Sequence, residues 1–128
     1  MPLDWSSEGL AAGLACYRNQ EFFDAHEHWE DVWRQLQDPE KNFLQGLIQV
    51  TVAMHHYRNA NIAGARTLLE RASRRLEGCP DCFGGIDVAT LRADVQVWLR
   101  SLDSAGNGPS AFPRIQREGS SPEGSAQL

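Results

Sequence analysis

The chain has 128 residues, 41% hydrophobic and 23% charged, which suits one soluble globular domain with a core of its own. A net charge of −5 with no long run of Lys and Arg argues against non-specific nucleic-acid binding, and no apolar stretch approaches the ~20 residues of a membrane span. The opening MPLDWSSEGL has neither a basic nor an apolar signal region, and three cysteines make no disulfide framework, so the composition points to a cytoplasmic protein with reduced thiols.

Five helices are readable in order. The first is expected from about Ser6 to Asn19, with Ser6 or Ser7 as cap and Leu10, Leu14 and Tyr17 on one face. Gly9 and Gly13 weaken it, so packing must hold it. The second, Glu21 to Leu36, puts Phe22, Ala25, Trp29, Val32, Trp33 and Leu36 on one broad stripe, with Asp24, Glu27, His28 and Asp31 opposite. Gln37-Asp38-Pro39 ends it, because proline does not continue a helix. The third, Lys41 to Arg58, is apolar around most of its circumference and therefore central in its bundle. The fourth, Asn61 to Glu77, sets Ile62, Ala65, Leu68, Leu69, Ala72 and Leu76 against Arg66, Arg71, Arg74 and Arg75, and ends at Gly78. Asp87 caps a fifth helix with Val88, Leu91, Val95, Trp98 and Leu102 at three-four spacing.

The expected fold is all-α: a compact bundle of about five helices, two helical hairpins plus a closing helix, over residues 1–103. From Ser104 onward Gly, Ser and Pro dominate, and with only Phe112 and Ile115 as anchors the stretch 104–128 reads as a flexible tail. A weak repeat of period 40 runs through the hairpins. Tyr17-Arg18-Asn19 recurs as Tyr57-Arg58-Asn59, and Ala25, Glu30, Arg34 and Leu36 match Ala65, Glu70, Arg74 and Leu76. The arrangement is loosely like tetratricopeptide arrays, but their signature is absent and two units are too few for a solenoid.

The functional signal is a set of polar side chains on otherwise apolar helices. His26 and Glu30 share a face of the second helix, at i and i+4. Gln45, Gln49 and His56 lie nearly in line along the third. A short connection makes these helices antiparallel neighbours, so the stripes can face each other. Buried polar groups need partners, either one another or a ligand.

The segment Phe22-Phe23-Asp24-Ala25-His26-Glu27-His28-Trp29-Glu30-Asp31-Val32-Trp33 resembles the signature of the domain of unknown function 309 family. Gln45-Gly46-Leu47-Ile48-Gln49-Val50 followed by His55-His56 resembles its second motif, and Asn61, Gly64-Ala65 and Leu68-Leu69 also fit. The resemblance spans roughly Leu10 to Leu102 and implies a small all-helical protein. It brings no activity with it. The positions it points to are His26, Glu27, Glu30, Trp33, Gln45, Gly46, Gln49 and His56; Cys79-Pro80-Asp81-Cys82 lies outside its pattern.

Three readings of the stripe are open. It can be a structural network that fixes helix register. It can be a pocket in which Trp33, Gln45, Gln49 and His56 take a ligand, or His26, Glu30 and His56 a divalent metal such as zinc or iron. Or His26 and Glu30 can form a catalytic dyad of base and orienter. The zinc-protease pattern HExxH and the di-iron pattern Glu-x-x-His are both missing. His28 reads as solvated, His55 as a packed histidine, and Gly46 as a point of close helix approach. Cys79-x-x-Cys82 is a lone pair where no strands are visible, so it reads as a turn. The expectation is a binding or interaction module, with a small ligand or a protein as partner and neither nucleic acid nor membrane. The alternative is a small metal-dependent or hydrolase-like enzyme using His26, Glu30 and His56. Val97 and Leu102 are apolar residues that a homodimer could use.

Overall fold

The computed structural model describes residues 3–118. Four helices form two consecutive hairpins: α1 (Glu8–Arg18) with α2 (Phe22–Trp33), and α3 (Glu40–Arg58) with α4 (Ile62–Glu77). A small hairpin of β1 (Cys82–Phe83) and β2 (Ile86–Asp87) leads into α5 (Val88–Ala105), which closes against α4. The all-α expectation holds, with these two short strands as the addition. Gly84 and Gly85 both have positive φ (58° and 82°), the backbone that a tight two-residue hairpin turn demands.

Each helix forms for the reason its spacing gives. α3 is buried along most of its length, from Phe43 to Met54, and packs on both α2 and α4. α4 buries Ala65, Leu69, Ala72 and Leu76, residues three and four apart. Asn61 caps α4 by accepting from the Gly64 amide, and Asp87 caps α5 by accepting from the Thr90 amide. Ser7 sits at the N-cap of α1, but its hydroxyl donates to the Asp4 carbonyl, so the expected side-chain cap does not form.

Glycine sets the approach of α1 to α2. A Cβ on Gly13 would run into the indole of Trp29, and one on Gly9 would lie 2.6 Å from Val32 Cγ2. Trp29 is fully buried there, stacked on Tyr17 at 6.3 Å and edge-on to Trp5 at 6.0 Å, and its Nε1 donates to the Leu10 carbonyl. The packing that α1 needs to offset its glycines is thus a tryptophan filling the gap they leave.

The period-40 repeat is built into the backbone. Gln20 and Ala60, at matching positions, take the left-handed conformation with φ of 64° and 63°. The amides of Glu21 and Asn61 donate back to the carbonyls of Cys16 and His56, each at 2.8 Å. Both helix ends therefore close with the same six-to-one bond without the usual glycine. The two turns are also joined, since Arg58 Nη1 donates to the Gln20 carbonyl at 2.8 Å.

The stretch read as a flexible tail has its first part within the described residues. Residues 108–118 lie against the bundle; Pro113 and Ile115 are buried, and Phe112 stacks on Trp98. Tyr17, Trp98 and the β-hairpin supply hydrogen bonds that the composition of this segment does not reveal. The remaining residues of that stretch, 119–128, lie outside the described residues.

Candidate binding pocket between α2, α3 and α4

The polar stripe does not form one site. His26 Nε2 lies 3.0 Å from Glu30 Oε2, with the side chains 20% and 40% exposed, and Glu30 also meets Arg34 at 3.5 Å. The matching positions on α4 carry Arg66 and Glu70, an ordinary ion pair at 3.8 Å. The pair His26–Glu30 is therefore the counterpart, one repeat earlier, of a surface salt bridge.

His56 stands apart from that pair. Its Nδ1 faces the Asn61 amide nitrogen at 3.2 Å, beside the turn into α4. The His26 and His56 rings are linked only through Phe23 and His55, with successive centroids 5.5, 5.5 and 6.1 Å apart. His55, read as a packed histidine, is half-buried against Phe23, which is 51% exposed. No group of three His, Cys, Asp or Glu side chains converges to hold a metal ion among the described residues. His28 is solvated as expected.

The glutamines go elsewhere. Gln49 is buried, and its Oε1 accepts from Arg75 Nε of α4 at 3.2 Å. Arg75 Nη1 donates to Asn42 Oδ1 in the same clamp. Beside it lies a depression of about 230 Å³ lined by Trp33, Asp38, Lys41, Asn42, Gln45 and Arg75. The structure thus brings together Trp33, Gln45 and, through Arg75, Gln49, and leaves His56, His26 and Glu30 outside.

Several properties of this pocket are chemical rather than structural. Lys41 Nζ sits 4.3 Å from the centre of the Trp33 ring, a cation over a π face. Neither Lys41 nor Arg75 has a carboxylate within ion-pair distance among the described residues. Trp33 Nε1 is buried and has no acceptor there, which leaves a desolvated donor in a side chain that lines the pocket. His26 Nδ1 is the other buried side-chain polar atom without a partner among the described residues. Gly46 fits the close-approach reading, since a Cβ on it would touch Leu76 Cδ2 at 3.4 Å and Arg75 Cβ at 3.6 Å.

Sequence reasoning missed Lys41, Asn42 and Arg75. The spacing sets Arg75 with Arg66, Arg71 and Arg74, opposite the apolar residues of α4. Its position seven after Leu68, two turns along the flank of the apolar stripe, is the signal that separates it from Arg71 and Arg74, which are exposed.

The remaining candidates carry no activated group. Cys79 and Cys82 are free thiols flanking the start of β1. Burial raises the Cys79 pKa, which Arg92 only partly opposes; desolvation and the carboxylates of Glu118, Asp87 and Asp81 raise that of Cys82. Both thiols are shifted away from thiolate character. Cys16 is half-buried, and desolvation raises its pKa as well, with Glu21 and Asp24 adding to the effect. Leu102 is buried within the bundle, which leaves Val97 as the exposed apolar residue of α5. No described helix is long and apolar enough to cross a membrane.

Residues 10–68 match the family described as Domain of unknown function (DUF309). An uncharacterised protein of Aquifex aeolicus is 30% identical over 113 residues, which is 88% of this chain and 34% of that protein. The uncharacterised protein YpuF of Bacillus subtilis is 34% identical over 64 residues, 48% of this chain and 36% of YpuF. The chain spans about a third of the length of these curated relatives. The matched stretch, from Leu10 to Leu68, holds most of α1, all of α2 and α3, and the start of α4.

Proposed function

We propose, starting from the match of residues 10–68 to the DUF309 family, that this protein is a binding module whose α2–α3–α4 pocket receives a carboxylate or similar anionic group of a ligand or protein partner. The observation that carries the reading is the pairing of Arg75 and Lys41 on one small depression, with no carboxylate paired to either among the described residues. Gln49 and Asn42 hold the guanidinium by two of its nitrogens, so its orientation is fixed before a ligand arrives. A preset guanidinium suits planar, bidentate recognition of a carboxylate. The unpartnered Trp33 N–H supplies a further donor. The relatives, about three times longer than the matched stretch, fit a module that works beside other protein segments.

The enzyme reading has less behind it. His26 and Glu30 repeat the geometry of Arg66 and Glu70, and His56 is turned to Asn61.

The test is an amide and indole NMR titration of the full chain with succinate and, separately, inorganic phosphate. Saturable shifts of the Trp33 indole N–H and the Gln45 and Gln49 side-chain amides are expected, and Arg75→Gln should abolish them. Shifts that persist in Arg75→Gln, or none at these groups with either anion, would sink the proposal.

A further inference from the structure

Residues 108–118 are held the way a protein holds a peptide. Four side chains from three helices grip their main chain. Tyr17 of α1 donates its hydroxyl proton to the Pro113 carbonyl at 2.6 Å, and the Gly108 amide donates to the Tyr57 hydroxyl of α3 at 2.9 Å. From α5, Trp98 Nε1 donates to the Ala111 carbonyl at 3.0 Å, and Asp94 accepts from the Arg114 amide at 2.9 Å. None of these bonds reads the identity of the gripped residue.

Specific contacts are added at two positions. The Phe112 ring lies between Trp98, stacked at 5.9 Å, and Phe22, edge-on at 5.0 Å. The Arg114 guanidinium forms a two-pronged bond to Asp94, at 2.9 and 3.0 Å. Further along, the segment adds itself to the β-hairpin. Asp87 donates its amide to the Gln116 carbonyl, Glu118 donates to the Gly85 carbonyl, and Ile86 bridges Arg117 in antiparallel register. Main-chain pairing at a sheet edge plus a side-chain pocket is a recurrent mode of peptide recognition.

Two more observations mark the segment as a strap rather than a sixth layer of core. It is joined to α5 through the exposed, left-handed Gly106, around which a Cβ would meet nothing. It also does not fill its own surroundings: a depression of about 330 Å³ remains between it and Val97, which is 44% exposed.

We infer that the face formed by Tyr17, Phe22, Tyr57, Asp94 and Trp98 is a groove for an extended peptide, and that residues 108–118 occupy it in cis. The partner is a linear segment of another protein that presents an aromatic residue followed by proline and arginine, in the pattern of Phe112-Pro113-Arg114. Such a segment would take over the hydrogen bonds of the strap one for one, so the exchange leaves no buried Tyr17 hydroxyl without an acceptor. The unbound protein is self-occluded, and partner affinity is reduced by the fraction of time the strap is in place.

Fluorescence anisotropy with a labelled synthetic peptide of residues 107–117 tests this on the full chain. Phe112→Ala should loosen the strap and bind the peptide saturably, at least ten-fold tighter than wild type. Adding Tyr57→Phe should weaken that binding several-fold, and a peptide with alanine in place of its phenylalanine should not bind. Equal and weak binding by wild type and Phe112→Ala would overturn the inference. So would loss of cooperative thermal unfolding in Phe112→Ala, which would make the segment a fixed part of the core. A wild-type dimer that dissociates in Phe112→Ala would overturn the assigned partner by making a second copy the occupant.

Discussion

The two helical hairpins share a backbone and differ in what they place between their helices. Where the first hairpin packs Gly13 against Trp29, the second packs Ala53 and Leu69 at the same repeat positions. A small-plus-large pair has become a medium pair. Where the first hairpin has Gly9, the second has Gln49, and Gln35 of the first corresponds to Arg75 of the second. Gln35 is exposed beyond the end of α2, whereas Arg75 is drawn inward onto Gln49. The candidate pocket thus lies where the copies diverge, and the His26–Glu30 pair lies where they agree.

The largest effect should come from exchanging the core pairs. Gly13→Ala drives a methyl into the Trp29 indole and should cost about 1–3 kcal/mol. Trp29→Leu alone leaves a cavity, and a loss of about 2–4 kcal/mol is expected. The double variant copies the second hairpin, so its loss, measured by denaturant unfolding, should fall about 1–3 kcal/mol short of the sum. Strict additivity would break the comparison.

The caps give a middle-sized effect. Glu21 and Asn61 have nearly the same backbone (φ, ψ of −92°, 71° and −92°, 77°), but only Asn61 accepts a capping bond. Asn61→Ala should cost about 1 kcal/mol and Glu21→Ala almost nothing. Asp87 offers a titratable contrast. Its bonds from the Thr90 hydroxyl and amide hold its carboxyl below the ordinary aspartate value. A depressed folded pKa stabilises fully above the unfolded value, and the contribution disappears as pH falls through the folded one. The stability gap between wild type and Asp87→Ala should therefore shrink on acidification below the ordinary aspartate range, whereas the Asn61→Ala gap should not.

The smallest effect is expected for His26 and Glu30. A double-mutant cycle should return about 0.3–0.5 kcal/mol, as for an ordinary i, i+4 helix pair, and the Arg66–Glu70 cycle should match it. A coupling several-fold larger at His26 alone would restore it as a special site.

The helices were legible because three-four apolar spacing survives in every one of them, and the repeat because Tyr-Arg-Asn recurs intact. The left-handed turns at Gln20 and Ala60 were not, since the residues there lack the usual glycine signal. The β-hairpin was overlooked although Gly84-Gly85 is a turn signal, because strands of two residues show no alternation. The strap reads as a linker for a deeper reason: its bonds are made through its main chain by residues as far away as Tyr17, and main-chain bonding writes nothing into the gripped sequence. The stripe named Gln49 beside His26, Glu30, Gln45 and His56. It could not show that the cationic partner of Gln49 comes from α4, because a helix in isolation does not reveal which flank its neighbour covers.

Tyr17 also bears on the order in which the chain is made. Its hydroxyl is buried in the first hairpin, where burial raises its pKa beyond the ordinary range, yet its acceptor is Pro113, 96 residues later. Trp5 waits in the same way for the Gly84 carbonyl, 79 residues on. During synthesis from the N-terminus the local hairpins can form early, but these two polar groups meet their partners only after Gly84 and Pro113 have left the ribosome. The polar groups of the N-terminal part are thus completed by residues that follow them by 79 and 96 positions.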